Sequence, residues 1–480
     1  MKILNMNKPS LARMEVKVYA AITGVVVLLM MLFGLIMKMT QGQMLPIEPG
    51  LFYQLMTAHG IGMVAIAGLG GSAVMWHFLG KYVNLRAGFA WANLAFFLAG
   101  VVLVLGGIFL GGFAAAWTFL YPLPANGMGM WGKHAAAAYM GGVLLVGVGM
   151  LLFYLEAARA IIQQYGSFAK SLGWHFLKSG QDAPPATVIA SSVVTIINII
   201  AILVGAVILT MMLINLYVPE ITISPLLAKN LIFLFGHVFI NSTIYMAVIA
   251  VYEILPIYTG RPWKVYKAFV WAWSATCLMV LTVYPHHMLM DFAQPLWMHI
   301  MGQIISYTSS LPVLGLTLTA TLGMIYRSNI KWDLTSALLV LSIFGWSAGV
   351  IPAVIDGTIA VNQVMHNTLW VPGHFHLYLL LGCMAMILAF INWLSSQEKA
   401  SGFSGLDKAM LWTFAISAFT YALIFLMSGQ ASIPRRMAVH LPEWVWYSQL
   451  GSLFAAGVVI SSMVIVIRAL AGIFKPAKQA

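Results

Sequence analysis

The sequence is poor in charged residues and in cysteine. Aspartate, glutamate, lysine and arginine make up 8% of its 480 residues, whereas hydrophobic residues make up 61%. A water-soluble globule is excluded, because about 25% of its residues would be charged. The two cysteines, Cys277 and Cys383, both fall within apolar stretches. A disulfide framework and a C-x-x-C-H haem attachment site are therefore excluded as well.

Apolar stretches of roughly 20 residues recur along the chain, and in lipid they form helices because each backbone polar group needs a partner within its own segment. They predict an all-α, polytopic membrane protein with twelve transmembrane helices in one domain, residues 1–480. The predicted spans lie near residues 17–39, 52–80, 87–113, 134–157, 187–217, 227–255, 266–287, 297–326, 333–353, 371–394, 408–429 and 446–470.

The net charge of +12 is distributed unevenly between the two sides of these spans. Lysine and arginine cluster before the first span and after each even-numbered span, while the alternate loops are nearly free of them. This is the positive-inside pattern, which predicts that both termini are cytoplasmic. The positions of the lysines and arginines therefore indicate a protein that is surrounded by membrane lipids and does not bind nucleic acid. The first span is too long for a signal peptide, so we expect it to be retained.

Two histidines, His374 and His376, stand near the start of the tenth span with one residue between them. Positions i and i+2 of an α-helix point about 200° apart, so the two imidazoles face nearly opposite sides of the helix. A bare imidazole in hydrocarbon is costly, and ionisable residues within spans are usually functional. The pair therefore indicates one bound group on each side of this helix.

Four further histidines are predicted at the same depth, in the outer part of the membrane. They are His59 in the second span, His237 in the sixth, and the adjacent His286 and His287 at the outer end of the seventh. Unrelated packing histidines would scatter in depth, so we interpret these four histidines, together with His374 and His376, as parts of one site.

Metal chemistry sorts the six histidines into three sites. The three neutral imidazoles of the sixth and seventh spans suit a copper ion with an open coordination position. His374 is placed to bind the iron of a five-coordinate, high-spin haem that faces the copper. His376 and His59 together would hold a second, low-spin haem, which has no open position and transfers electrons. The sequence thus predicts two haems and one copper ion.

The rim of this site is predicted on the outer side. The one outer loop that breaks the positive-inside rule contains Arg435 and Arg436, and guanidinium groups suit carboxylates such as haem propionates. His366 and Asn367, just before the tenth span, are further candidates for the rim of the haem pocket. An exception to the charge rule without any function is the alternative for the two arginines.

Four segments together resemble subunit I of the haem–copper oxidase superfamily, and its B-type oxidases most closely. They are residues 366–377 (HNTLWVPGHFHL), Gly236-His237, His286-His287 and Pro434-Arg435-Arg436. The resemblance covers all twelve spans, and it implies the same ligand assignment for the six histidines. It also implies an integral protein of a bacterial or archaeal cytoplasmic membrane that acts as a haem–copper oxidoreductase.

The resemblance breaks at one position that bears on the substrate. Oxygen-reducing relatives of the A and B types carry a tyrosine four residues after the first copper histidine, and here that position is Asn241. In C-type relatives the tyrosine precedes the histidine pair of the seventh span, where this chain reads Met279-Val280-Leu281. A site without that tyrosine suits nitric oxide, whose reduction needs two electrons and not four.

The expected function is therefore that of a nitric oxide reductase catalytic subunit with copper in its active site and a small gaseous substrate. A terminal oxygen reductase is the alternative, with Tyr284 or Tyr245 as its unusual tyrosine. No dinuclear copper motif with paired cysteines occurs in the sequence. We therefore expect electrons to arrive from a partner subunit that carries a copper or haem c centre on the outer side.

Protons must also reach the site, and the eighth span is unusually polar. Gln303, Ser306 and Tyr307 form a stripe similar to the inward proton path of the B-type oxidases, with Glu253 as a candidate entrance. Hydrogen bonding between helices is the alternative role for these groups. From a different class, a proton-coupled transporter would be supported by inverted repeats or helices broken at the midplane, and neither is evident in the sequence.

Overall fold

The computed structural model describes residues 12–179 and 182–475, so both ends of the predicted domain, and with them the two termini, lie outside the described residues. The described part is all-α and contains twelve helices long and apolar enough to cross a membrane, as predicted. They are α1 (Met14–Gln41), α2 (Pro49–Leu79), α3 (Ala87–Leu110), α4 (Lys133–Tyr165), α5 (Ala186–Tyr217), α6 (Pro225–Thr259), α7 (Lys267–Met288), α8 (Leu296–Ile325), α9 (Leu334–Asp356), α10 (Trp370–Ser395), α11 (Gly405–Gln430) and α12 (Pro442–Ile473).

The helices follow the predicted spans and in places continue beyond them. The helix α4 runs to Tyr165, past the predicted end near residue 157. Arg159 in the extension forms an ion pair of 2.5 Å with Glu156, one turn earlier, and the helix is capped by Gly166 with φ of 83°. Hydropathy marks only the segment that lies in hydrocarbon, whereas the helix itself continues until a residue in the left-handed conformation ends it.

Two helices occupy the centre of the bundle. Of their most apolar 18 residues, α2 buries 83% and α10 buries 94%, whereas α8 buries 28%. The central pair carries His59 on α2 and both His374 and His376 on α10. The predicted haem ligands therefore lie on the two helices that are most enclosed by others.

Several helices depart from regular α-geometry beside the predicted site. A π-helical segment, Leu377–Met384, follows His376 directly, and π-bulges are frequent at functional sites. The helix α7 ends in a 3₁₀ turn, Tyr284–Met288, that carries the histidine pair.

Broken helices are not evident in the sequence, but two helices are interrupted in the structure. The helix α8 is interrupted between Leu296–Thr308 and Leu311–Ile325, where Pro312 begins a new helical segment because it lacks an N–H for the preceding ladder. The helix α6 is also irregular at Val248, between Pro225–Ala247 and Ile249–Thr259.

Candidate functional site

The three predicted copper ligands come together in the structure. One nitrogen from each of His237, His286 and His287 lies within 4.8 Å of the other two. His237 Nδ1 is 2.9 Å from His287 Nε2, and His286 Nε2 is 3.2 Å from the same atom. Three neutral imidazoles that converge in this way fit a copper ion.

The local fold explains how two helices bring these rings together. His286 and His287 follow Pro285 in the 3₁₀ turn at the end of α7, where the backbone leaves the α-helical ladder. On the neighbouring helix, Gly302 has no Cβ, and one built there would lie 2.9 Å from the His286 backbone nitrogen. The absence of a side chain at residue 302 therefore permits the close approach of α8 to the histidine pair.

Two of these imidazoles are also held at the nitrogen that points away from the cluster. His237 Nε2 lies 2.7 Å from the Asn241 side-chain amide, and His286 Nδ1 lies 2.9 Å from Ser306 Oγ. Metal-binding histidines nearly always have such a partner, because it fixes the tautomer and the orientation of the ring. The hydrogen-bond partners of these rings therefore fit a metal site, and so do the rings themselves.

The three predicted haem ligands have the same kind of support. His59 Nδ1 contacts the Met30 carbonyl at 2.6 Å, His376 Nδ1 contacts the Pro372 carbonyl at 2.7 Å, and His374 Nδ1 contacts the Gly349 carbonyl at 2.9 Å. A carbonyl only accepts hydrogen bonds, so each Nδ1 carries the proton and each Nε2 keeps its lone pair. All three rings are thus in the tautomer that binds iron through Nε2.

The spacing of His59 and His376 fits an iron between them. Their ring centroids are 6.5 Å apart, and the ring planes differ by 16°. Two metal–imidazole bonds of about 2.0 Å and two ring radii of about 1.1 Å add up to about 6.2 Å. The separation therefore fits a bis-histidine haem.

All six histidines line one cavity of about 980 Å³. This volume is at the upper end of the range for ligand sites, about 300–1,000 Å³. His374 contacts Gly349 of α9, whereas His376 stacks near His59 of α2. The two histidines of α10 therefore contact different helices, which is compatible with the opposite orientation that their spacing predicts.

The outer rim of the cavity is formed by the predicted polar residues. Arg435, Arg436, His366 and Asn367 all line it, and the Arg435 N–H donates to the Asn367 carbonyl at 2.9 Å. Burial, followed by the charge of Arg436, lowers the pKa of Arg435 to about 10. Among the described carboxylates none forms an ion pair with either arginine. Two guanidinium groups at the rim without an ion-pair partner among the described carboxylates fit the propionates of a haem.

The predicted proton-path residues lie in three different surroundings. Ser306 reaches His286, as described above. Gln303 accepts from the Ile359 N–H at 2.8 Å, and the Tyr307 hydroxyl lies 2.7 Å from Thr358 Oγ1, so both tie α8 to the segment after α9. The hydrogen bonds of Glu253 go to Tyr82, at 2.8 Å, and to Thr187. The structure brings Ser306 to the candidate site, whereas Glu253 of α6 contacts Tyr82, just after α2, and Thr187 of α5.

One polar residue of the site was not predicted. The Tyr378 hydroxyl lies 3.2 Å from Asn241 Oδ1, and Tyr378 lines the cavity. Tyr284, considered from the sequence, donates instead to Asn230, and Tyr245 packs against two tryptophans, Trp273 and Trp346. A signal for Tyr378 was present, because it follows His374 by four residues and so lies on the same helix face.

Comparisons with known proteins agree with this architecture. The family model described as "Cytochrome C and Quinol oxidase polypeptide I" matches residues 15–464. The chain is 24% identical over 443 residues to "Cytochrome c oxidase polypeptide 1" of Halobacterium salinarum, which covers 87% of this chain and 70% of the relative. It is 24% identical over 424 residues to "Cytochrome c oxidase subunit 1" of Thermostichus vulcanus, which covers 83% of this chain and 72% of the relative.

A solved structure shows the same fold. It is described as a cryo-EM structure of a heme-copper terminal oxidase dimer, with a TM-score of 0.81 and 20% sequence identity. The alignment covers 97% of this chain and 84% of that chain. Because the family model spans nearly the whole bundle, the chain belongs to the cytochrome c and quinol oxidase polypeptide I family, the haem–copper oxidase subunit I proteins.

Proposed function

We propose that the chain is the catalytic subunit of a nitric oxide reductase. Two molecules of nitric oxide, two electrons and two protons would give nitrous oxide and water. The observation that carries the proposal is the contact of 2.7 Å between the Asn241 amide and His237 Nε2. An amide occupies the position at which an oxygen-reducing relative of the A or B type is expected to couple a phenol to this imidazole.

The electron count gives this substitution its meaning. Splitting dioxygen at once takes four electrons, and a phenol at the copper histidine supplies one of them together with a proton. When bound, the high-spin haem iron and the copper supply two electrons between them, which is the number that two nitric oxide molecules need. An amide is not oxidised under these conditions, so Asn241 favours the two-electron reaction.

The roles of the other residues follow from their contacts. His237, His286 and His287 would hold the copper, and His374 would hold the high-spin haem opposite them. His59 and His376 would hold the low-spin haem that receives electrons. The rim arginines and Asn367 would orient the propionates, and His366 lies 3.5 Å from Asp356 at the same rim.

A terminal oxygen reductase is the second candidate. Two observations favour it. The similar proteins of Halobacterium and Thermostichus are named cytochrome c oxidases, and the Tyr378 hydroxyl is linked to His237 through the side-chain amide of Asn241. The amide separates this phenol from the imidazole, so the two rings lack the direct contact that coupling requires. We therefore keep nitric oxide as the proposed substrate.

Protons would enter from the cytoplasmic side. Ser306, in contact with His286, is the proposed last group of this route. Further inward, the hydroxyls of Tyr252 and Thr317 lie 2.9 Å apart between α6 and α8, and this buried pair supports a route between the two helices. Glu253 stays a proposed entrance, although its hydrogen bonds do not reach α8.

We also propose the setting in which the subunit works. The distribution of lysine and arginine supports a bacterial or archaeal cytoplasmic membrane with both termini inside. The sequence has two cysteines and no attachment site for a haem c. Electrons would therefore come from a partner subunit with a copper or haem c centre on the outer side.

Anaerobic turnover of the purified complex with nitric oxide tests the proposed reaction. A small electron donor would be supplied in excess, and nitrous oxide would be measured by gas chromatography. The expected yield is one nitrous oxide for each two nitric oxide molecules consumed. A His237→Ala complex is the control, since it should consume none. Failure of the wild-type complex to form nitrous oxide would overturn the proposal.

A further inference from the structure

A chain of two hydrogen-bonding contacts joins the helix of the haem ligands to the first copper ligand. Tyr378, one turn after His374 on α10, lies 3.2 Å from Asn241 Oδ1 on α6. The Asn241 Nδ2 atom in turn lies 2.7 Å from His237 Nε2. Tyr378 is buried, with 7% of its surface exposed, so its hydroxyl needs a partner inside the protein.

The protonation of a copper-bound His237 fixes the orientation of the amide between these groups. His237 turns Nδ1 toward the other two copper ligands, so a neutral ring bound to copper carries its proton on Nε2. That N–H needs an acceptor, and Asn241 provides one only when its oxygen, and not its NH2 group, faces the ring. The oxygen and nitrogen of a side-chain amide occupy nearly the same positions after a rotation of 180°, and hydrogen bonding decides between them.

In the structure the Tyr378 hydroxyl donates to Asn241 Oδ1, and it can also pair with the amide in this second orientation. A hydroxyl both donates and accepts, so it accepts from the Asn241 NH2 group once the amide oxygen has turned to His237. Without the hydroxyl, the Asn241 NH2 group would lose its hydrogen-bond partner. The amide could then rotate so that its NH2 group faces the His237 Nε2–H, where no hydrogen bond can form. A hydrogen-bonded second nitrogen makes a histidine a better ligand, since it fixes the ring and raises its basicity.

We propose that Tyr378 is a positioning residue for the copper site: it holds Asn241 with its oxygen on the His237 Nε2–H, and so strengthens copper binding. The inference rests on the copper site of the proposed function and not on the choice between nitric oxide and dioxygen. It assigns the phenol of α10 a role that does not require a covalent bond to the imidazole.

The first test is copper retention in the Tyr378→Phe complex. The purified complex would be titrated with a copper chelator, and the copper that remains would be measured against the haem content. Loss of a partner of this kind typically weakens metal binding about 10–100-fold, so we expect the variant to release copper at about tenfold lower chelator concentration. Tyr245→Phe is the matched control, since Tyr245 is buried among tryptophans one turn below Asn241.

A second pair of variants separates orientation from packing. Asn241→Asp replaces the amide by a carboxylate, which accepts on both oxygens and so needs no orienting partner. If Tyr378 acts by orienting the amide, adding Tyr378→Phe to Asn241→Asp should change copper retention by less than about twofold. If Tyr378 only fills space, its loss should weaken copper binding equally in both backgrounds.

The outcomes are distinct from those that decide the proposed function. A tenfold effect of Tyr378→Phe in the wild-type background, and none in the Asn241→Asp background, supports the inference. Equal effects in both backgrounds, or a Tyr378→Phe complex that matches Tyr245→Phe, would overturn it. A wild-type complex that holds two haems and no copper would overturn the copper site itself, and the inference with it. The low-spin haem spectrum reports in each case that the bundle has folded.

Discussion

Gly34→Ala is the substitution that tests the low-spin haem site most selectively. Gly34 of α1 lies against the imidazole of His59. A Cβ at residue 34 would be 2.9 Å from His59 Cε1 and 3.3 Å from its Nδ1. The proposed copper ligands are far from Gly34 in the sequence, and the three atoms nearest to a Cβ at residue 34 all belong to His59. A defect in this variant should therefore appear at one haem only.

The size of the effect follows from these distances. To restore an ordinary contact of 3.4 Å, the ring has to retreat by about 0.5 Å. The hydrogen bond of 2.6 Å between His59 Nδ1 and the carbonyl of Met30, also on α1, holds the ring against this helix and opposes the movement. Overpacking of this kind typically costs about 1–3 kcal/mol, more than the gain of about 0.5–1 kcal/mol from replacing a helical glycine by alanine. We expect the ligand bond of His59 to weaken.

Optical and EPR spectra of the purified variant provide the assay. In Gly34→Ala, part of the bis-histidine, low-spin signal should convert to a high-spin signal, while copper content stays at the wild-type level. Gly50→Ala is the control, because a Cβ at residue 50, at the start of α2, would have no atom within 4 Å. If Gly34→Ala keeps the full low-spin signal of Gly50→Ala, His59 is not the ligand that the geometry indicates.

Three further predictions concern the copper site and the outer loop. His237→Ala should lose copper and activity and keep the low-spin haem spectrum; loss of that spectrum would contradict the ligand assignment. Ser306→Ala should weaken copper binding about 10–100-fold, since its hydroxyl contacts the proposed copper ligand His286, whereas Thr308→Ala, whose hydroxyl bonds to its own helix, should not. Burial, with a smaller effect of Lys38, lowers the pKa of His440 to about 4. The unfolded chain thus binds the proton more readily, and stability should be full above about pH 6.5 and fall toward pH 4. Melting temperatures across this range should show the slope in the wild type and a smaller one in His440→Gln.

The sequence was sufficient for the helices and for the six histidines because both signals are local. Apolar runs reveal the spans one at a time, and an imidazole inside such a run is conspicuous by itself. The spacing of i and i+2 predicted the opposite orientation of His374 and His376. The spacing of i and i+4 likewise predicted that Asn241 lies next to His237.

Contacts between helices were not predictable in this way. Ser306 was recognised as polar, but its contact with His286 depends on how closely α8 approaches α7, which Gly302 permits. The contact of Tyr378 with Asn241 crosses from α10 to α6 and joins residues 137 apart in the chain, so no local spacing predicts it. The breaks in α6 and α8 were also missed, since hydropathy averages over the residues at which they occur.

The measurement that tests the central claim most directly is the comparison of nitric oxide and dioxygen as electron acceptors for one purified complex. Both would be supplied at equal concentration with the same donor, and electrons delivered per second would be counted for each. The proposed function predicts faster electron transfer to nitric oxide, with two electrons consumed for each nitrous oxide formed. Faster transfer to dioxygen, with four electrons consumed for each molecule reduced to water, would contradict it.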